Sequence, residues 1–258
     1  MTRIFRRFNE YKELFRMLLW ADFILRYNNT ILGVTWVLLR QFLLFGIFYA
    51  VFSYLFRAEA VYGLRLLFGL LVFAFFSEGV NRGMTALVDK SHLISRVDFP
   101  RYFMVIVPTV NALINFIFGL VVFIGFYVFI QPQIVWQFIL LPFLFGFLIL
   151  FTTGIGLFLS VFFVRFRDLQ AIVEVLLSVF FYATPIIYPM SILSPTFARF
   201  IIFNPMTIYI ETMRNIIFFG GVGIQNTHLI YAAAVSILVF FGGAIFFKRR
   251  VRMVTQYL

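Results

Sequence analysis

The chain has no cysteine among its 258 residues, which excludes disulfides, thiol nucleophiles and cysteine-bound metals. Its two histidines are His92 and His228. They fall in different loops on opposite sides of the topology derived below, so they form no two-histidine metal site within one chain. Charged residues make up 12%, where a soluble domain carries about 25%. Acidic charge is scarcest: Asp and Glu number 10 against 21 Lys and Arg, a formal net charge of +11. No G-x-x-x-x-G-K-[ST] occurs, and Lys12, Lys90 and Lys248 follow Tyr, Asp and Phe. A Walker-type nucleotide site is therefore excluded, and any ATP-driven work needs a second polypeptide. There is no G-x-S-x-G nucleophile elbow, no internal repeat and no low-complexity segment.

Apolar mass fills the chain instead: 63% of residues are hydrophobic, in long unbroken runs. This excludes a soluble domain and a disordered chain. The runs do not alternate with polar residues, which excludes a membrane β-barrel. The reading is an all-α polytopic membrane protein, a single domain over 1–258. Six stretches reach the roughly 20 apolar residues that a crossing helix needs: 31–56, 66–87, 102–130, 135–164, 169–188 and 228–247. Of the 21 basic residues, sixteen lie in or beside the segments that an N-in, C-in arrangement makes cytoplasmic. Arg57, Arg65, Arg199 and Arg214 lie outside, and Arg40 lies within the first span. This asymmetry predicts N-in, C-in and explains the net charge without nucleic acid. The opening MTRIFRRFNEYKELFR has no uninterrupted apolar core and predicts no cleaved signal peptide.

Two segments depart from the spanning pattern. In 4–27, Ile4, Phe8, Tyr11, Phe15 and Leu18 recur at helical spacing while Arg3, Arg7, Glu10, Glu13 and Arg16 take other faces. This predicts an amphipathic helix in the cytoplasmic interface; the alternative is a helix packed on other protein. In 190–226, Asn204–Pro205, Glu211 and Arg214 interrupt two apolar pieces. Neither piece is long enough to cross, and the expectation is a pair of re-entrant helices in the outer leaflet.

Ionisable groups inside spans are costly. Arg40, Glu78 and Glu174 are the three to explain, as a structural ion pair between helices or as a proton or substrate contact. Aromatic residues reach 21%, with 40 Phe, 12 Tyr and 3 Trp. Lipid-facing Phe and interfacial belts of Trp and Tyr account for much of this. Rings also offer flat apolar faces on which sugar C–H faces stack.

Five motifs then align in order: WADFILRYNNTILGVTW over 20–36, HLISRVDFPR over 92–101, VRFRDL over 164–169, TPIIYP over 184–189 and NPMTIYIETMR over 204–214. Together they resemble the membrane subunit of type-2 ABC exporters over nearly the whole chain. The branch resembled most is the one exporting O-antigen, capsule and teichoic-acid polymers. One departure is Gln41, after Arg40, where that branch usually has proline. The alternatives are a type-2 exporter of drugs or small lipids, and a membrane enzyme of polyprenyl-linked sugar metabolism. Scattered carboxylates argue against the enzyme.

The resemblance implies a multi-pass protein of the bacterial cytoplasmic (inner) membrane with no catalytic residue and no metal of its own. It implies a homodimer carrying two ABC ATPase subunits that hold ATP and Mg. A polyprenyl-diphosphate-linked glycan would pass between the two copies, with membrane lipids around them. The loop 88–101 would couple to the ATPase through Lys90, Arg96, Asp98 and Arg101, with Arg167 and Asp168 at a second contact. The other readings are a solvated basic loop and a local helix cap. Arg26, Arg96 and Arg101 are placed to meet the lipid diphosphate, or simply to sit among anionic headgroups. Trp36, Phe45, Tyr49, Phe52, Phe181, Tyr182 and Tyr188 are the candidate path-lining rings.

Overall fold

A computed structural model describes residues 2–27, 35–55, 60–91, 100–130 and 136–254, which are mostly helical with no strand among them. The helices are α1 (Thr2–Tyr27), α2 (Thr35–Leu55), α3 (Ala60–Asp89), α4 (Tyr102–Ile130), α5 (Leu141–Arg165), α6 (Leu169–Tyr182), α7 (Pro195–Ile201), α8 (Pro205–Phe219) and α9 (Asn226–Val254). A 3-10 turn, Trp136–Leu140, leads into α5. Among the described residues, four stretches are long and apolar enough to cross a membrane: Val61–Asp89, Tyr102–Phe129, Trp136–Arg165 and Asn226–Val251. Two shorter apolar pieces, Phe42–Val51 and Leu169–Tyr182, occupy the places of the first and fifth expected spans.

α3 is the centre of the bundle and packs most extensively on α4 and α5. Its residues Leu66, Phe68, Val72, Met84 and Leu87 are fully or almost fully enclosed. α5 packs as closely on α9. A Cβ added at Gly154 would overlap the backbone of Phe240 at 2.6 Å, and one added at Gly243 would overlap the carbonyl of Gly154. Small residues let two helix backbones touch where lipid supplies no hydrophobic drive. Phe158 and Phe162 then bracket Phe246 of α9, at 5.0 and 5.3 Å between ring centroids.

α8 is the most enclosed of the short helices: every residue from Pro205 to Phe218 is buried except Asn215. Its start is encoded locally. Asn204 caps the first turn through Met206 N at 2.9 Å, and Pro205 takes the first helical position. Hydroxyl groups hold it in place: Tyr127 of α4 donates to Ile217 O, and Tyr209 of α8 donates to Ala232 O of α9. Ser236 lies 2.6 Å from the same Tyr209 hydroxyl.

The ends of α6 and α9 differ from the sequence reading. α6 stops at Tyr182 instead of running to 188. Pro185 cannot donate, and it disfavours helical geometry in the residue before it. α9 continues to Val254, past the expected end at 247, because Lys248, Arg249, Arg250 and Arg252 are good helix formers once outside the apolar zone. One face of α1 packs on the bundle: Tyr11 and Phe15 meet Phe103 of α4, and Leu14 and Leu18 pack on the cluster around Met104 and Val161.

Gly154→Leu is expected to disrupt the α5–α9 crossing at a cost of about 3 kcal/mol or more, seen as a large drop in the detergent melting temperature. Gly146→Leu, which meets nothing within 4 Å, is expected to leave that temperature nearly unchanged.

Candidate functional site

The site is a cavity of about 620 Å³ between α2, α3 and α6. Its charged wall is Arg40 of α2, Glu78 and Arg82 of α3, and Glu174 of α6. Its aromatic wall is Phe48, Phe73, Phe181 and Tyr182. Phe181 packs on Phe48 at 5.8 Å and on Phe73 at 5.1 Å, so these rings form one connected surface.

The three intramembrane charges singled out in the sequence therefore do meet around one space. The expected pairing of Arg40 with Glu78 or Glu174 is not among the ion pairs of the described residues. Glu78 instead accepts from Asn115 Nδ2 at 2.9 and 3.1 Å and lies 3.7 Å from Arg82. Glu174 accepts from Gln170 one turn earlier at 3.1 Å. Arg40 is exposed on the rim.

Of the candidate path-lining rings, Phe181 and Tyr182 line the cavity. Tyr188 donates to Tyr182 O at 2.8 Å and braces that wall. Phe45 stacks on Tyr49 at 5.5 Å, against Gly63 of α3. Trp36 is exposed near the start of α2. The Phe52 side chain lies outside the described residues. The sequence does not single out Phe48 and Phe73, because a phenylalanine-rich sequence marks no ring as facing inward.

Behind Arg82 lies a second polar group that the sequence did not reveal. Asp22 of α1, with its side chain 9% exposed, meets Arg82 at 2.9 Å and Lys90 at 2.8 Å. Asn111 of α4 donates to the same carboxylate at 2.6 Å. Burial acts to raise the Asp22 pKa, but the Arg82 and Lys90 charges and the hydrogen bonds outweigh it and hold the carboxyl below its ordinary value. Burial lowers the Lys90 pKa, with Asp22 opposing. The only available clue was a carboxylate inside an otherwise apolar stretch of α1.

Lys90, expected to face a partner, is thus engaged within the chain. Arg96 and Asp98 and the Arg26 side chain lie outside the described residues. Arg101 stands partly buried in the turn before α4. Arg167 and Asp168 are exposed between α5 and α6. Asp168 occupies the cap position of α6 without a side-chain cap hydrogen bond, so the local-cap reading is corrected. Arg167 lies over the Phe163 ring at 5.4 Å.

At the other end of the bundle, Arg214 was counted as an outer loop charge, yet it is 3% exposed. It donates to Arg65 O at 3.0 Å, Pro185 O at 2.6 Å and Ile186 O at 2.7 Å, and it pairs with Glu211 at 2.9 Å. Tyr62 donates to the next carbonyl, Ile187 O, at 2.7 Å. Gly69 makes the room, since a Cβ there would overlap the guanidinium. Asn204, the α8 cap, also donates to Thr184 Oγ1 at 3.0 Å. The whole broken segment after α6 is therefore held by α3 and α8.

Arg214→Ala is expected to cost about 3–5 kcal/mol, read as early melting of the purified protein. Arg214→Lys restores little, because an ammonium lacks the planar fork. Asp22→Asn is expected to cost about 3 kcal/mol at neutral pH. The folded pKa of Asp22 is depressed, so its contribution is present above the ordinary carboxylate pKa and is lost as pH falls through the folded value. Melting curves of wild type and Asp22→Asn should therefore converge in acid.

Residues 13–218 match the ABC-2 type transporter family. The chain is 28% identical over 253 residues to the O-antigen export system permease protein RfbA of Myxococcus xanthus, covering 97% of each. Two Klebsiella pneumoniae proteins of the same name are 26% and 25% identical, covering 90% of each chain. With a matched region that spans most of the helical bundle and includes the cavity, the polar group at Asp22 and the Arg214 brace, this chain belongs to the ABC-2 type transporter family.

Proposed function

We propose that the chain is the permease subunit of an ATP-powered exporter that moves a lipid-linked polysaccharide across the bacterial inner membrane. The observation that carries this reading is the end-to-end likeness to O-antigen export permeases, over 97% of both chains in one case. As an ABC-2 permease with several apolar helices it is a multi-pass inner-membrane protein. The sequence carries no Walker motif, and in this reading the ATPase is a separate subunit.

In this reading six segments cross, N-in and C-in, with α2 and α6 as the two shorter ones. α6 alone, at 14 residues, rises about 21 Å, less than the roughly 30 Å of hydrocarbon. The broken segment beyond it and the helices α7 and α8 form the outer re-entrant region. Irregular backbone at that depth requires burial in protein, which α3 and α8 provide. Two copies assemble with two ATPases. The loop 88–101 and the exposed pair Arg167–Asp168 are the docking points, and the Asp22 group ties α1 to the end of α3 from which the loop departs.

Purification with the ATPase encoded beside it tests this directly. A stable assembly of two copies each is expected in detergent. Replacing Arg96 and Asp98 together by alanine is expected to leave membrane insertion intact and to lower export per ATP about fivefold, the scale of a coupling free energy near 1 kcal/mol. No association of the two chains would remove the exporter reading. Unchanged coupling in the double variant would remove the loop's role.

A further inference from the structure

We propose that Arg82 is a two-position ionic switch. In one position it ties α1 to the shaft of α3 through Asp22. In the other it closes onto Glu78 within α3 and leaves α1 tied to that helix only through Lys90, at the root of the loop 88–101. This rests on the export reading and adds to it the step by which movement of the loop reaches α1.

Four side chains alternate in sign along this end of the bundle: Lys90, Asp22, Arg82 and Glu78. Arg82 Nη2 donates to Asp22 Oδ2 at 2.9 Å, whereas its Nη1 lies 3.7 Å from Glu78 Oε1. The first is a hydrogen-bonded ion pair, and the second is a charge contact beyond hydrogen-bond reach. One guanidinium thus stands between two carboxylates and has closed on one of them. The other seat is equally well formed. Glu78 precedes Arg82 by one turn of the same helix, the order that favours an acid–base pair. A side chain with staggered wells moves between such seats in steps. Arg82 has room for the step, since its side chain is 28% exposed and lines the cavity.

Neither carboxylate is stranded by the exchange. When Arg82 leaves, Asp22 keeps Lys90 at 2.8 Å and Asn111 Nδ2 at 2.6 Å. Glu78 holds Asn115 Nδ2 at 2.9 and 3.1 Å in either position. A buried charge deprived of its partner is costly, and these donors remove that penalty from both positions. Asn111 and Asn115 stand one turn apart on α4, so a single helix backs both seats. A spare acceptor waits beside Asp22: Asn111 Oδ1 is buried and accepts no hydrogen bond among the described residues. Buried acceptors are rarely left over, and an ammonium carries three donors. In the second position Lys90 spans the Asp22 carboxylate and this amide oxygen, both of which already belong to its group. The two tethers of α1 have different anchors. Arg82 belongs to the body of α3, whereas Lys90 follows its last residue. α1 therefore moves with the shaft of α3 in the first position and with the loop root in the second.

The test uses permease and ATPase together in lipid nanodiscs. The cysteine-free sequence allows a single thiol, Leu18→Cys, on the face of α1 that packs near Met104 and Val161. Leu14→Cys, on the same face, serves if the first variant fails to assemble. The rate of modification by a small maleimide is measured without nucleotide and during ATP turnover. Turnover is expected to raise the rate about fivefold, the low end of typical coupling between sites. Glu78→Gln keeps the Asn115 hydrogen bond through its amide oxygen but removes the charge of the second seat. It is expected to hold the rate at its nucleotide-free value while ATP hydrolysis continues and the melting temperature stays nearly unchanged. Glu78→Asp returns the charge and is expected to restore the rise. If Glu78→Gln fails to fold, Arg82→Lys serves in its place. Its ammonium lacks the fork that spans two seats, and the rise is expected to disappear there too. Equal rates with and without ATP in an assembled, ATP-hydrolysing exporter overturn the switch and leave the exporter reading standing. A full rise in Glu78→Gln also overturns it, because Arg82 and Asp22 would then form a plain structural brace. If permease and ATPase do not associate, the exporter reading falls and the switch falls with it.

Discussion

Within a hydrocarbon layer every peptide group must find its hydrogen-bond partner inside the protein. In the re-entrant reading proposed above, the segment after α6 tests that requirement most severely, because Pro185 and Pro189 interrupt the helix and leave consecutive carbonyls without helical donors. Arg214 and Tyr62 supply the missing donors at Pro185, Ile186 and Ile187. That solution imposes the rest. Arg214 reaches the segment only if α8 is sunk among α3, α5 and α9, and α8 is held there by Tyr127, which donates to Ile217 O near its end, and by its own Tyr209, which donates to Ala232 O of α9. The buried charge costs desolvation, which the surrounding acceptors and Glu211 offset. One guanidinium thus sets the position of a helix that is itself too short to span.

The long elements were plain in the sequence because apolar length is a cumulative signal that single residues scarcely disturb. α4 follows 102–130, as read. What failed was local. Charge at Arg214 reads as exposure, since basic residues near an apolar stretch usually snorkel to water, and nothing in the sequence counts the carbonyls waiting for it. The end of α6 was misplaced because 183–188 stays apolar while losing its helix. The cavity was half legible. Arg40, Glu78 and Glu174 stood out as charges in apolar runs, but their partners, Asn115 and Gln170, are polar residues of ordinary frequency. The rings were least legible, because in a sequence with 40 phenylalanines periodicity does not separate lipid-facing from inward faces.

Arg82 joins two regions that otherwise look separate. It lines the cavity on one side and pairs with Asp22 on the other. Asp22 also holds Lys90, one residue past the end of α3. A change in the tilt of that helix end must alter the Asp22 contacts, the Arg82 rotamer and the cavity wall together. Packed polar groups of this kind have discrete arrangements in preference to a continuous range, so the cavity and the last turn of α3 share one set of states.

The contact of α5 with α9 at Gly154 and Gly243 has a mechanical consequence. Two helices whose backbones touch, with Phe246 wedged between Phe158 and Phe162, have almost no freedom to slide or roll against each other. They behave as one stiff beam. α5 leads straight into the exposed turn at Arg167–Asp168, and α9 carries the basic extension from Lys248 onward. Force applied at either foot is borne by both, so compliance in this molecule belongs to α2 and α6, the lightly packed pair that walls the cavity on its open side.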